Sequence, residues 1–215
     1  MRCSLNEIET MGKRAARGGG MSWGLADEAG KATRWLAAHG MPGPHVLADL
    51  LARHDGTAQL DRLPAADEGQ WSATGGELCP IATGAAFCDR AGKLTTGHEI
   101  KTAAMAHPIL LAFHIAGAAK LTGSVLKLEW PGVVMVFSPE GVAITDSGEA
   151  LLASTVSEVR CSKGDRPAKV LPLDGSGHDV TEQIWERLGT FANRTFAPAT
   201  EESRLTGAGA GLIDD

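Results

Sequence analysis

The sequence predicts an α+β protein: an N-terminal helical hairpin plus a third helix, an antiparallel or mixed sheet with one or two packed helices, and a C-terminal arm. Three observations predict it. Apolar residues recur at helical spacing in three successive stretches of the first 56 residues, each closed by a helix-stopping sequence. Between Val125 and Thr145 the pattern changes to alternation and short apolar runs separated by Pro-Gly and Pro-Glu-Gly turns. No internal repeat accounts for either region. The expected organisation is a helical subdomain over 1–56, a sheet-containing core over 57–197 and a glycine-rich arm over 198–215, folding as one unit.

Ser4 and Glu7 form a capping box, in which each side chain can meet the other residue's free backbone N–H. Leu5, Ile8, Met11 and Ala15 then share a helical face, which Gly18-Gly19-Gly20 ends. Ser22 caps a second helix with Leu25, Ala29, Ala32 and Leu36 inward, closed by Gly40 and by Pro42-Gly43-Pro44. Beside that face Ala26, Gly30, Thr33 and Ala37 make a ridge of small residues. Such a ridge suits close helix packing or a flat wall against a ligand. A third helix buries Val46, Leu47, Leu50 and Leu51 and ends near Gly56. Residues 57–78 read as a connection with little regular structure; long connections in compact domains often carry function.

Further on, Ile81–Phe87 is a candidate strand. Val125–Trp130 alternates, with Leu126, Leu128 and Trp130 on one face and Lys127 and Glu129 on the other. Val133–Phe137 is an apolar run, Val142–Thr145 completes a meander, and Thr155–Cys161 and Lys169–Leu173 are expected to add strands. Pro108–Leu121 fits a buried strand or helix; its alanines, Pro108 at the start and Lys120 near the end favour helix. A last helix is expected from about Asp179, with Glu182 repeating the capping pattern and Ile184, Leu188 and Phe191 inward.

With 20 basic and 26 acidic residues the net charge is −6, and no basic run reverses it, so a nucleic-acid partner is not expected. The longest apolar segment, about twelve residues from Pro108, falls short of the ~20 a membrane span needs. Cys3, Cys79, Cys88 and Cys161 form no CxxC pair. A chain this long and this poor in cysteine is no disulfide scaffold, so a cytoplasmic protein with reduced thiols is expected.

The histidines are scattered. His107 and His114, seven apart, would share one helical face, but no carboxylate or cysteine completes a metal set, so no bound metal is expected. Two residues are candidates for catalysis. His39, before the Gly40 helix stop, is an acid/base candidate, although a helix C-terminus also favours a cation there. Cys79, at the end of the long connection, is a nucleophile candidate if a base or cation lies near it, and otherwise a small buried residue. The arm supplies an anion-binding candidate. Arg204 with Gly207, Gly209 and Gly211 combines a cation with exposed amides, as an anion nest requires, but matches neither a phosphate loop nor a dinucleotide fingerprint. No cofactor is read from these residues.

Ser4-Leu5-Asn6-Glu7-Ile8-Glu9, the stretch Met21-Ser22-Trp23-Gly24-Leu25-Ala26-Asp27-Glu28-Ala29-Gly30-Lys31-Ala32 and the tail from Pro198 to Asp215 together resemble a bacterial family known as a domain of unknown function, which implies no activity. Ala38-His39-Gly40, after two helices and before an apolar helix ending at Gly56, resembles the N-terminal region of the non-Rossmann malate/lactate dehydrogenases. Ala38 replaces the serine of their Ser-His-Gly motif, and this chain is much shorter. That resemblance implies nicotinamide binding. The function expected is a small-molecule enzyme or binding protein for an anionic ligand, with its site near His39, Cys79 and the arm. The alternative is a non-catalytic subunit using its Gly/Ala surfaces for protein contacts; in either case a homodimer is expected.

Overall fold

The computed structural model describes residues 1–65, 70–146 and 148–196. The fold is α+β. Chain order runs β1 (Arg2–Cys3), α1 (Leu5–Gly18), α2 (Trp23–Ala38), α3 (Gly43–His54), a 3-10 turn (Gln59–Arg62), β2 (Gln70–Trp71), α4 (Pro80–Asp89), α5 (Ala91–Thr95), β3 (Ile100–Thr102) and β4 (Met105–Ala106). It continues through a 3-10 turn (Pro108–Leu111), α6 (Ala112–Thr122), β5 (Leu126–Trp130), β6 (Val133–Ser138), β7 (Gly141–Asp146), a 3-10 turn (Gly148–Leu152), β8 (Thr155–Val156), β9 (Val159–Lys163), β10 (His178–Asp179) and α7 (Glu182–Asn193). None of the described helices is long and apolar enough to cross a membrane.

The first three helices form as the sequence predicts. Glu7 N–H donates to Ser4 Oγ while Ser4 N–H donates to Glu7 Oε2, completing the capping box. Leu25 N–H donates to Ser22 Oγ. The small ridge of α2 faces α1, so its packing lies inside the chain. A Cβ on Gly30 would stand 2.6 Å from the Glu9 carbonyl oxygen, and one on Gly12 would stand 3.3 Å from Gly30 Cα. Around this contact Arg34 meets Glu9 at 2.7 Å and Lys13 meets Asp27 at 2.7 Å.

The main sheet runs β2-β3-β9-β5-β6-β7 and is mixed: β2 lies parallel to β3 and every other pair is antiparallel. The meander holds in register, with Leu126 opposite Phe137 and Met135 opposite Ile144. Leu126, Leu128, Met135 and Phe137 are fully buried. The stretch Pro108–Thr122 is helical, first 3-10 and then α6. At the other end of the chain β10 pairs with β1, and the Met1 amine donates to Val180 O at 2.7 Å.

Several sequence expectations are corrected. Ile81–Phe87 belongs to helix α4: Pro80 takes the first helical turn, where its missing N–H costs nothing, and the small residues let α6 approach. A Cβ on Gly84 would fall 2.3 Å from His114 Nδ1. Thr155–Cys161 is two strands with different partners, β8 on β4 and β9 between β3 and β5. Lys169–Leu173 forms no strand. Pro167 and Pro172 remove donors, and Leu171 N–H to Val142 O is its link to the sheet. The last helix is capped by Thr181, whose Oγ1 accepts from Ile184 N–H, while Asp179 lies in β10 opposite Arg2. His107 and His114 do not share a helical face: His107 precedes the 3-10 turn, and His114 is buried in α6 against Gly84.

The close approach at Gly30 yields a sign test. Alanine elsewhere in a helix is better than glycine by ~1 kcal/mol, but here its Cβ would strike backbone. Gly30→Ala is expected to lower unfolding free energy by about 1–2 kcal/mol through overpacking. Urea denaturation reads this; a stabilised variant would show that the helices are not in that contact.

Candidate functional site

Helix α3 turns Val46, Leu47, Leu50 and Leu51 into the core and places His45, Asp49 and Arg53 one turn apart along its opposite side. His45 Nε2 lies 3.2 Å from Asp49 Oδ2, whose partner oxygen Oδ1 accepts from Arg187 Nη2 of α7 at 2.9 Å. Arg53 reaches Glu77 through two parallel bonds, from Nε and Nη2, each 2.7 Å.

Glu77 is brought there by strand pairing. Leu78 forms a parallel bridge with Met105, and Met105 and Ala106 of β4 pair with Val156 and Thr155 of β8. Three neighbouring segments therefore end together and present Glu77, His107 and Thr155 side by side. Thr155 Oγ1 donates to Glu77 Oε1 at 3.0 Å. Arg62 Nη1 stands 3.8 Å and His54 Nε2 3.7 Å from Glu77 Oε2. Burial alone would raise the Glu77 pKa. The bonds from Arg53 and Thr155, with the charge of Arg53, overcome it and hold the carboxyl below its usual range.

His107 is the one non-glycine residue with positive φ among the described residues, at φ 40° and ψ 61°. It precedes Pro108, which disfavours the right-handed helical region for the residue before it. Its N–H donates to Ser154 O at 3.1 Å and its carbonyl accepts from Leu110 N–H. The ring is buried, within electrostatic reach of Asp49 and Glu77 on one side of the charge balance and Arg53 and His45 on the other. Burial is the largest influence and lowers its pKa, so the imidazole is neutral at pH 7. Left-handed backbone at a non-glycine residue costs of order 1–3 kcal/mol and concentrates at functional sites.

His54 is buried on the other side of Glu77. Burial first, then the charges of Arg62 and Arg53, lower its pKa to about 4 against the pull of Glu77. Its Nε2 has no hydrogen-bond partner. It borders a pocket of about 40 Å³ lined also by Met21, Thr57, Gln59, Arg62 and Cys79, which is room for one or two waters.

The two residues expected to be catalytic are not brought together. Cys79 caps α4 at this water-sized pocket, which Met21, just before α2, also lines. Burial pushes its thiol up, against the N–H groups of Ala82 and Ile81 and the charge of Arg62. His39 caps the far end of α2, which spans about 24 Å. Its Nδ1 bonds the Trp35 carbonyl at 2.8 Å, its ring lies 3.9 Å from the Trp35 ring, and burial lowers its pKa. Arg204, Gly207, Gly209 and Gly211 lie outside the described residues. Sequence reasoning passed over the α3 stripe, although His45, Asp49 and Arg53 at i, i+4 and i+8 were a readable signal. Glu77, His107 and Thr155 carry no local signal, because only strand pairing unites them. Among the described residues, no three His, Cys, Asp or Glu side chains group as metal ligands would.

The buried neutral imidazole fixes a pH dependence. A folded-state pKa of about 4 lies below the ordinary 6.5, so the unfolded chain binds more protons between these values. Stability is full above pH 6.5 and falls as the pH drops towards 4, by about 2–3 kcal/mol from this group. In His54→Gln, urea midpoints at pH 7, 5.5 and 4.5 are expected to vary less than in the parent. Equal pH slopes would remove His54 as the cause.

No curated protein sequence matches this chain. Its fold is similar to that of a dehydrogenase from Sinorhizobium meliloti, with a TM-score of 0.61 at 11% identity, over 89% of this chain and 99% of that one. At that identity the likeness is one of fold. The resemblance to a family of unknown function is borne out over the helical part: residues 3–79, from the first strand through α3 to Cys79, match the family model described as a protein of unknown function, DUF3726.

Proposed function

We propose that this chain is an enzyme for a small organic anion, with its ligand over the α3 stripe and His107 as its acid/base group. The left-handed backbone of His107, which holds a buried imidazole within electrostatic reach of Asp49, Arg53 and Glu77, is the observation that carries this reading. Three guanidiniums, Arg53, Arg62 and Arg187, face two carboxylates, Asp49 and Glu77, so the cluster carries one positive charge in excess. That excess favours an anion, and Arg53 keeps Nη1 outside its two bonds to Glu77. A neutral imidazole near pH 7 can both accept and return a proton.

The solved fold neighbour is called a dehydrogenase. Oxidising a hydroxy acid, or reducing the corresponding oxo acid, requires a proton acceptor or donor at the reacting oxygen and a cation for the carboxylate. His107 and Arg53 supply that pair. The hydride itself would come from or go to a nicotinamide, the cofactor that the Ala38-His39-Gly40 resemblance implies. We place the protein in the cytoplasm, since its four cysteines are all free thiols. Cys79, whose thiol is held protonated, is assigned a packing role beside the site.

Isothermal titration of the full chain with small hydroxy and oxo acids, alone and with reduced or oxidised nicotinamide, tests the reading. One class of acid is expected to bind. His107→Asn, which keeps a polar side chain able to adopt left-handed backbone, should weaken binding by about tenfold, the worth of one charged hydrogen bond. It should also abolish any nicotinamide-linked turnover. If no acid binds under any of these conditions, or if binding survives unchanged in His107→Asn, the assignment fails.

A further inference from the structure

Helices α2, α4 and α6 meet at His114, a buried residue that the proposed chemistry does not use. It lies on α6 among Ile115, Ala118 and Ala119, all buried, and is itself only 2% exposed. Gly84 of α4 leaves the space that its ring fills: a Cβ there would fall 2.5 Å from His114 Cγ. Neither ring nitrogen has a hydrogen-bond partner among the described residues, and Thr83 Oγ1, on the residue before Gly84, is buried without one as well. Polar atoms enclosed in this way cost stability, and native structures hold few of them. A leucine at this place on α6 would carry no such cost, so packing alone does not explain the imidazole.

The nearest charge bears on it. Glu28 Oε2 of α2 lies 3.5 Å from His114 Nε2, longer than a full hydrogen bond but close enough for electrostatic attraction. The other oxygen of Glu28 meets Lys31 Nζ at 3.0 Å, Lys31 meets Asp27 at 2.7 Å, and Asp27 meets Lys13 of α1 at 2.7 Å. The His114 ring first, then Lys31, hold the Glu28 carboxyl below its usual range against burial. A line of alternating charge thus runs from α1 through α2 to the His114 ring. From α4, Cys88 Sγ donates to the His114 carbonyl at 3.3 Å. Two helices therefore hold this residue, one at its ring and one at its backbone.

These holds set where α6 begins. The 3-10 turn Pro108–Leu111 runs into α6 without a break, since Leu111, the residue before α6, is already in the right-handed helical region. His107 stands immediately before this turn, and Leu110 N–H donates to its carbonyl at 3.1 Å. Helices α2 and α4 pack against the turn as well as against α6. We infer that His114, seated on Gly84 and braced by Glu28, is a positioning residue for His107: it fixes α6, and through the turn it fixes the left-handed backbone from which the His107 ring projects. Its value for catalysis rests on the reading of His107 as the acid/base group; its hold on the turn does not.

Amide hydrogen exchange and urea denaturation of the full chain test it together. His114→Leu removes the unpartnered nitrogens, so its urea midpoint is expected to equal or exceed that of the parent. The amides of His107 and Leu110 should nevertheless exchange about tenfold faster as the turn opens locally, while those of Leu50 and Leu51 in α3 keep their rates. Glu28→Ala, at a half-exposed position that folding tolerates, should loosen the same two amides, and Glu28→Gln, which keeps an acceptor at the same reach, should restore most of their protection. Parent rates at His107 and Leu110 in either His114→Leu or Glu28→Ala would overturn the inference. A lowered midpoint with faster exchange throughout the chain would also overturn it, because His114 would then be a packing residue alone. These rates do not depend on any ligand. If no hydroxy or oxo acid binds the parent, the proposed function fails while the positioning result stands; if an acid binds and the two amides are unmoved, the positioning role alone fails.

Discussion

Glu77 is a mostly buried carboxylate that stays ionised because Arg53 meets it with two parallel bonds and Thr155 and Arg62 attend its remaining faces. A carboxylate so placed would otherwise take up a proton or destabilise the fold by several kcal/mol. Its partners come from three places: α3, the 3-10 turn at Gln59–Arg62, and β8. The carboxylate therefore fixes the position of the helical layer against the strand ends. The same carboxylate raises the proton affinity of His54, but only in part. Glu77 favours the cation there, but burial and two arginines outweigh it.

The helical layer has its own constraint. Helices α1 and α2 approach until backbone meets backbone at Gly12 and Gly30, so their separation is set by atoms that cannot rearrange. Rigid spacing here fixes the origin of α3, since the loop from Gly40 to Pro42 is short and Met41 N–H bonds back to Leu36 O. The α3 stripe of His45, Asp49 and Arg53 thus takes its place from two glycines on other helices. A second close approach, Gly84 under the His114 ring, does the same for α4 and α6. The helix packing of this chain rests on glycines that leave room, and this accounts for part of its high glycine content.

How much of this was legible in the sequence depends on the range of the interaction. The capping box at Ser4 and Glu7, the cap at Ser22 and the meander from Leu126 to Asp146 were readable because their partners lie within a few residues or on the next strand. Ile81–Phe87 misled because short, small-residue segments fit either state. Helix was decided by Pro80 and by packing against α6, and only the first of these is visible locally. The site was less legible still. His107 read as half of a histidine pair with His114, whereas β4 pairing with β8 sends it towards Glu77 and Thr155. Residues that are 30, 48 and 78 positions apart share no pattern that a periodicity argument can detect.

The two charged surfaces of the helical layer differ in a way that bears on their roles. At Glu77 the charges are interlocked: carboxylates hold guanidiniums in fixed geometry, and neutral imidazoles at His107 and His54 stand beside them. Such a surface is preorganised, so a ligand bound there meets donors and acceptors that need not reorient, which is the condition for electrostatic work on a reacting group. In the groove bordered by α1 and the start of α2, Arg14 and Arg17 lie over the faces of Phe196 and Trp23 and hold no carboxylate among the described residues. Their side chains keep the freedom to turn towards an arriving anion, at an entropic cost that limits the affinity of each contact. A preorganised cluster suits chemistry on a small molecule, and a loosely held one suits a weaker, reversible contact. Placing a strained histidine in the first and exposed aromatic rings in the second follows the same division. Strain is stable only where the surroundings over-determine it.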